Sequence, residues 1–300
     1  MADRNHPLCP ASVDNDDAGA AQAFRPTGER GYLVYGRHEL FSWELSPLRP
    51  IRLGIIFLAF FAAQSAAYAQ TDEIQVYTGE IAEPGQFTLT VHNNFTPQGR
   101  KSPDFPGGIV PDHALNGVPE WAYGVNDWLE LGTYLPVYTL TRDGELKFDS
   151  VKLRALFAVP KAQEQRFFYG LNFELSYNEP HWEQHRFSGE IRPIVGVRFG
   201  AVDVIVNPIL DTGFDGFSRL DFAPCARIDY NVSKLWSIAL EHYADLGELR
   251  SILPASAQQH QLFAVVDYGG EPSVEFGIGH GLSASSDRLV TKLMIQWVLN

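Results

Sequence analysis

The segment "GHGLSASSD" sets His280 close to Ser283, Ser285 and Ser286. An imidazole beside hydroxyls is the raw material of a nucleophilic hydrolase, provided a third group orients the histidine. No G-x-S-x-G elbow accompanies it. His280 falls at outward parity near the outer rim and His242 near an outer strand end, where interfacial histidines and serine-rich turns occur without catalysis. The residues therefore give no catalytic assignment. His92, His242 and His280 come from separate runs, so they specify no metal site, and no cofactor is expected. The two cysteines, Cys9 and Cys225, show no zinc-like or redox spacing.

The more numerous chemical groups are charges of both signs. Glu130, Lys152, Arg154, Glu174, Glu190, Arg192, Arg198, Asp203, Asp221, Arg227 and Asp229 all occupy the polar side of alternating runs. Two uses are open to them. They can fill an interior as a ladder of ion pairs, or they can line a polar channel. As candidate pore-lining residues, their slight acidic excess predicts a preference for cations or neutral solutes.

Strands must position these charges. "GVNDWLELGTYLPVYTL" (124–140) is unfit for a helix but alternates, with Leu129, Leu131, Leu135 and Val137 opposite Glu130, Gly132 and Tyr134. "RFFYGLNFELSY" is the most regular run: Phe167, Tyr169, Leu171, Phe173, Leu175 and Tyr177 oppose Gly170, Asn172, Glu174 and Ser176. Similar runs recur to the terminal "RLVTKLMIQWVL", separated by Gly, Asn, Asp and Pro turns. They predict about 12 strands of membrane-crossing length. "NDW", "FGA", "NVSK" and "GGEP" read as short turns at one end. Longer connections, above all Phe95 to Pro119 with Asp104, Asp112 and His113, read as loops at the other. That first long loop is the expected constriction.

Alternation alone does not say which face is inside. A soluble barrel buries its apolar face. Here the apolar face ends in rings near the turns: Trp128, Tyr177, Phe199, Tyr230, Trp236, Tyr268 and Trp297. Rings with a polar handle gather at membrane interfaces. The reading is thus an all-β fold, a closed antiparallel transmembrane β-barrel with a polar lumen. Its edges must close because lipid cannot satisfy an unpaired strand.

The totals agree. A net charge of −13 over 300 residues argues against nucleic-acid binding. The mean hydropathy of −0.13 excludes a helical membrane bundle but suits a barrel, where half of each strand is polar. Arg49 and Arg52, the short apolar core Ile55 to Ala63, and Ala67-Tyr68-Ala69 form a secretory signal peptide over 48–69, with mature protein from Gln70. Residues 1–47 lack periodicity. They are either untranslated, with initiation near Leu48, or a disordered extension. Residues 70–85 are expected as a periplasmic segment and 86–300 as the barrel.

"GVNDWLELGTYLP", "FFYGLNFELSY" and "VEFGIGHGLSASSDRLVTKLMIQW" together resemble the outer-membrane transporter family named after the meta-pathway of phenol degradation. The resemblance spans roughly 86–299. It implies a Gram-negative outer-membrane barrel that helps small molecules, with aromatic ones as candidates, to cross the membrane. The family carries no agreed catalytic residues to transfer. The expected partners are outer-membrane lipid, a small-molecule solute and the barrel-insertion machinery. The chain ends Trp297-Val298-Leu299-Asn300, a departure from the terminal aromatic that such machinery reads. A non-conducting structural or adhesion barrel is the alternative function, and a barrel-embedded lipid hydrolase a weaker one.

Overall fold

The computed structural model describes residues 72–299. The proposed extension, signal peptide and start at Gln70 lie outside the described residues. The strands are β1 (Phe87–Gln98), β2 (Leu115–Asn126), β3 (Leu129–Leu140), β4 (Leu146–Ala158), β5 (Phe167–Asn178), β6 (Phe187–Phe199), β7 (Val202–Asn207), β8 (Leu210–Thr212), β9 (Asp221–Phe222), β10 (Cys225–Asn231), β11 (Trp236–Asp245), β12 (Gln259–Tyr268), β13 (Ser273–Gly281) and β14 (Leu289–Val298). They form one antiparallel sheet that closes when β14 pairs with β1, from Thr88 opposite Val298 to Gln98 opposite Leu289.

Fourteen strands make 12 staves. β7 and β8 pair with successive stretches of β6, at Val195–Phe199 and Gly189–Ile191, so they are two halves of one stave. β9 and β10 pair with β8 and β7 and form the next. Pro208 and Pro224 interrupt these staves. Proline has no N–H for the ladder, so it is tolerated where pairing pauses. The Ala223 amide donates to the Ile209 carbonyl at 3.1 Å and carries the connection across the gap.

The sheet is inside out relative to a water-soluble one. Leu131, Leu153, Tyr169, Leu240 and Ile278 are each about half exposed, while Glu130, Arg154, Glu174, Arg192, Arg227 and Lys292 are buried. Rings pair across neighbouring staves near the turns. Trp236 meets Tyr268 at 4.9 Å, Trp128 stacks on Phe157 at 5.9 Å, and Tyr177 meets Phe187 edge-on at 5.3 Å. Trp128, Tyr177, Trp236 and Tyr268 are among the rings that the sequence marks, and Phe157 and Phe187 join them.

Two expectations need correction. Val137 is not outward with Leu131 and Leu135; it is fully buried. The β2–β3 and β3–β4 ladders shift register near Leu135–Pro136, and the extra residue reverses parity, so Val137 and Thr139 face in. The first long loop is also shorter than Phe95 to Pro119. β1 continues to Gln98 and β2 begins at Leu115, because Asn94, Thr96 and Gly117 keep the alternation going past the point where apolar residues thin out.

The short turns 127–128, 200–201, 232–235 and 269–272 lie at the end that also holds the start of β1 and the end of β14. The connection 159–166, with a 3-10 turn at Ala162–Glu164, joins them there. The loops 99–114, 179–186, 213–220, 246–258 and 282–288 crowd the opposite end.

Candidate functional site: a plugged lumen beneath an acidic vestibule

Residues 72–82 occupy the lumen. The segment ahead of β1 crosses the short-turn mouth and climbs inside the barrel, where Asp72, Glu73, Ile74, Val76, Tyr77 and Ala82 are all buried. Its backbone is held as a strand's would be, but by side chains of the wall. Asn207 accepts from the Tyr77 amide at 2.7 Å and donates to the Tyr77 carbonyl at 3.1 Å. Glu130 accepts from the Ala82 amide at 2.6 Å, Asn94 donates to the Asp72 carbonyl at 2.8 Å, and Lys292 donates to the Ile74 carbonyl at 3.1 Å. A buried backbone polar group must find a partner, and the inward polar face supplies them.

The segment's own side chains complete the charge pattern. Asp72 pairs with Lys152 at 2.8 Å, and Glu73 with Arg192 at 3.4 Å. The Tyr77 hydroxyl meets that of Tyr134 at 2.6 Å, and the Arg192 guanidinium lies 4.3 Å from the centre of the Tyr77 ring. Below these, Val76 and Tyr77 join Leu156, Phe168, Ile194, Ile205 and Ile209 in an apolar cluster. A polar lumen with an oily floor is what alternation misses, since Phe168, Ile194 and Ile205 sit at inward parity.

Gly124 fixes where the segment enters. A Cβ there would lie 2.2 Å from the Glu83 carbonyl oxygen and 2.4 Å from that of Ala82. Gly124→Ala is therefore expected to dislodge the base of the plug while the barrel stays closed. Limited proteolysis of the folded barrel checks this. Cleavage within 72–86 should appear in the variant and be absent from the parent.

The eleven charges named from sequence all lie on the inner face, and most are already engaged. Arg154 binds Glu120 at 2.6 Å and also Glu130. Lys152 reaches Glu174 at 3.7 Å, Arg192 holds Glu190 at 2.7 Å, and Arg198 holds Asp203 at 2.9 Å. Arg227 is surrounded by Glu241 at 2.6 Å, Glu275 at 2.9 Å, Asp229 at 3.4 Å and Asp267. Asp221 stands apart from these pairs, on the wall of the cavity described below.

Sequence reasoning did not single out the partners that complete these clusters. Lys292, fully buried, binds Glu241 at 2.5 Å and Glu275 at 2.6 Å. Glu241 and Glu275 lie in runs whose alternation is less regular, yet each is flanked by outward neighbours, Leu240 and His242 or Val274 and Phe276. That parity was the available signal. His92, bound to Glu120 at 3.0 Å, is another inner residue. Asp72, Glu73 and Tyr77 carried no periodic signal at all.

The first long loop contributes from above. Ile109 packs with Val118, Tyr134, Val137 and Trp182. Asp112 gathers Lys101, His113 at 2.9 Å, Arg142 at 3.1 Å and the Gly99 amide at 3.1 Å. Lys101 foremost, with His113 and Gly99, holds its carboxyl well below the usual carboxylate range. The loop thus closes one side of the mouth, and the segment 72–82 closes the centre.

A vestibule of about 720 Å³ stands open at the long-loop end. Its floor is Asp72 to Gln75; its walls come from β5, β6, β8, β9 and β11 and the loops between them. Ten carboxylates line it against three fixed cations, Lys152, Arg192 and Arg219.

The candidate hydrolytic groups are not assembled. Ser286 receives the His260 amide at 2.8 Å, donates to the His260 carbonyl at 2.9 Å and contacts Ser283 at 2.7 Å. No Ser–His280 hydrogen bond occurs among the described residues. His242 instead stacks on His260 at 5.4 Å. No cluster of three or more His, Cys, Asp or Glu suited to a metal ion occurs among the described residues.

No protein-family model matches the chain, and no curated protein matches it in sequence. Solved structures do match. An outer membrane channel from Pseudomonas putida F1 is 12% identical, covers 76% of this chain and 100% of its own, and gives a TM-score of 0.51. The chain has the fold of an outer-membrane β-barrel. The KdgM porin (9% identical, 71% of this chain, 99% of its own, TM-score 0.47) and the NanC porin (7%, 69%, 97%, 0.45) are also similar.

Proposed function

We propose that this barrel sits in the outer membrane and serves passive passage or uptake of small molecules, and that it is closed at rest by its own residues 72–82. The observation that carries this reading is the vestibule, a charged cavity open at the long-loop end that stops on a plug rather than on the wall. The plug is held largely by ion pairs and hydrogen bonds that water can replace. The finer resemblance to the phenol meta-pathway family supplies aromatic compounds as candidate solutes. Export through the signal peptide 48–69, with 1–47 outside the native product and the barrel-insertion machinery as partner, belongs to the same proposal.

A filled scaffold is the second reading, favoured by the apolar cluster beneath the plug. Planar-bilayer recording separates the two. The proposed channel should show brief openings that favour cations over anions. Replacing the loop 99–114 by a short turn should lengthen them modestly by freeing the side of the mouth. A pure barrel that passes no current at any voltage, with or without the loop, counts against the channel and for the scaffold.

A further inference from the structure

At the long-loop rim the outward positions of the wall carry rings: Phe95, Phe148, Tyr177 and Phe187 are all exposed there. β11, β12 and β13 carry imidazoles instead. His242 on β11 and His280 on β13 both lie directly opposite Leu262 of β12, and His260 precedes Leu262 by two residues on the same face. The three rings thus surround one outward leucine, with His242 and His280 two strand spacings, about 10 Å, apart. His260 Nδ1 meets His242 Nε2 at 3.3 Å, the two rings stack at 5.4 Å, and His260 Nε2 meets Gln258 Oε1 at 3.0 Å. Among the described residues, histidine–carboxylate contacts belong to His92, His113, His181 and His185, and to none of these three.

Charge on this side of the rim is sorted. Asp245 and Glu248 line the vestibule, and Asp287 accepts from the Arg100 amide at 2.7 Å. Arg250 and Arg288, in the loops above the histidines, are exposed, and neither forms an ion pair among the described residues. Arg288 directly precedes Leu289, the residue opposite His280. Between and below the imidazoles, toward the middle of the membrane, Leu240, Leu262 and Ile278 stand exposed. Basic groups above an apolar strip match a molecule with an anionic head and acyl chains, and an outward wall at this height faces the outer leaflet. A phosphate accepts charge-assisted hydrogen bonds from imidazolium and guanidinium groups, and it offsets the repulsion between two imidazolium rings held side by side. We propose that His242, His260 and His280, with Arg288, form a site on the outer wall for the phosphorylated headgroup of an outer-leaflet glycolipid, whose acyl chains lie along Leu240, Leu262 and Ile278. This rests on the barrel's placement in the outer membrane and concerns its outside, not the solute path.

Native mass spectrometry of the folded barrel in detergent, at about pH 6.5 where an ordinary imidazole is half protonated, tests the site. The probes are lipid A carrying two phosphates, the same lipid A with both phosphates removed, and inorganic phosphate. The phosphorylated lipid should form a one-to-one adduct, and the other two should bind at least about tenfold more weakly. His242→Phe, His260→Phe and His280→Phe together extend the ring pattern of the rest of the rim, and faster migration of the unheated sample on gels confirms folding. That variant should weaken the phosphorylated lipid by about tenfold or more and leave the dephosphorylated one within about twofold. His280→Gln with Arg288→Gln, both exposed, is the second test and should cost about fivefold or more. Arg186→Gln, at the rim beside β5 and β6, should change neither lipid. Equal binding of the two lipids, inorganic phosphate binding as tightly as the lipid, or variants that bind like the parent would overturn the site. So would an equal loss from Arg186→Gln, which would assign the preference to rim charge at large. A barrel that fractionates with outer membranes but fails these tests loses the site and keeps its location. One that passes them yet fractionates elsewhere keeps the site and loses the location.

Discussion

Deletion of residues 72–82 should turn a barrel that opens rarely into one that conducts steadily, with mean current rising on the order of tenfold or more. Barrels of about 8 strands are filled by their own side chains, and those of 16–18 leave an aqueous channel. Twelve staves enclose a space that side chains alone do not fill, and here a backbone takes up the remainder. Its removal leaves Lys152, Arg192 and Lys292 without the Asp72, Glu73 and Ile74 oxygens they now hold. Those cations would be met by water, which is the condition for ion passage. The barrel itself should persist, because the deleted residues precede β1 and contribute no ladder hydrogen bond to it. Single-channel recording on deletion and parent proteins, both shown folded by gel migration, is the check. A deletion variant as silent as the parent would transfer closure to Ile109 and the other loops.

Lys292→Met should be the most damaging single change in the wall, costing about 3 kcal/mol, the lower end of the range for breaking a buried ion pair. Lys292 is fully buried between Glu241 and Glu275 and also holds the plug through the Ile74 carbonyl. Its loss leaves two carboxylates facing each other, with Arg227 alone to balance Glu241, Glu275, Asp229 and Asp267. Arg227 is the reason the cost stays at the low end. Adding Glu241→Gln and Glu275→Gln to Lys292→Met should restore most of the stability, since the penalty comes from uncompensated charge and not from lost volume. Urea unfolding in detergent micelles measures both. A single variant within about 0.5 kcal/mol of the parent would show that the cluster is hydrated and not a buried network.

Both variants disturb one network of buried groups. Around the plug the charges are buried and paired, and their partners come from staves and a segment far apart in sequence. Tyr77 and Asn207 are 130 residues apart, and Lys292 and Ile74 are 218 apart. A barrel built this way is stable when closed and costly to half-open. That favours all-or-none displacement of the plug over gradual widening.

Much of this architecture was legible beforehand because β structure has a period of two. Phe167 to Tyr177 could face only one way relative to Asn172 and Glu174, and the rings near the turns said which way was lipid. Arg154, Arg192 and Arg227 were placed on the inner face by that parity alone. Where the period breaks, so did the reading. Val137 follows a proline-containing bulge and changes side, and the oily floor of Phe168, Ile194 and Ile205 sits at positions where polarity was expected.

The sequence by itself determined the sheet, its inverted polarity, the alternation of short and long connections, and the identity of most inner charges. These depend on neighbours one to four residues away. Tertiary structure alone decided that the runs 202–212 and 221–231 each break into two ladder segments, which charges meet, and that residues 72–82 lie inside rather than beyond the mouth. That segment has no alternation of its own. Its conformation is set by hydrogen-bonding groups on Asn94, Glu130, Asn207 and Lys292, which become neighbours only when the ring closes. The grouping of His242, His260 and His280 around Leu262 is hidden in sequence for the same reason, because cross-strand register is a property of the closed sheet and not of any one strand.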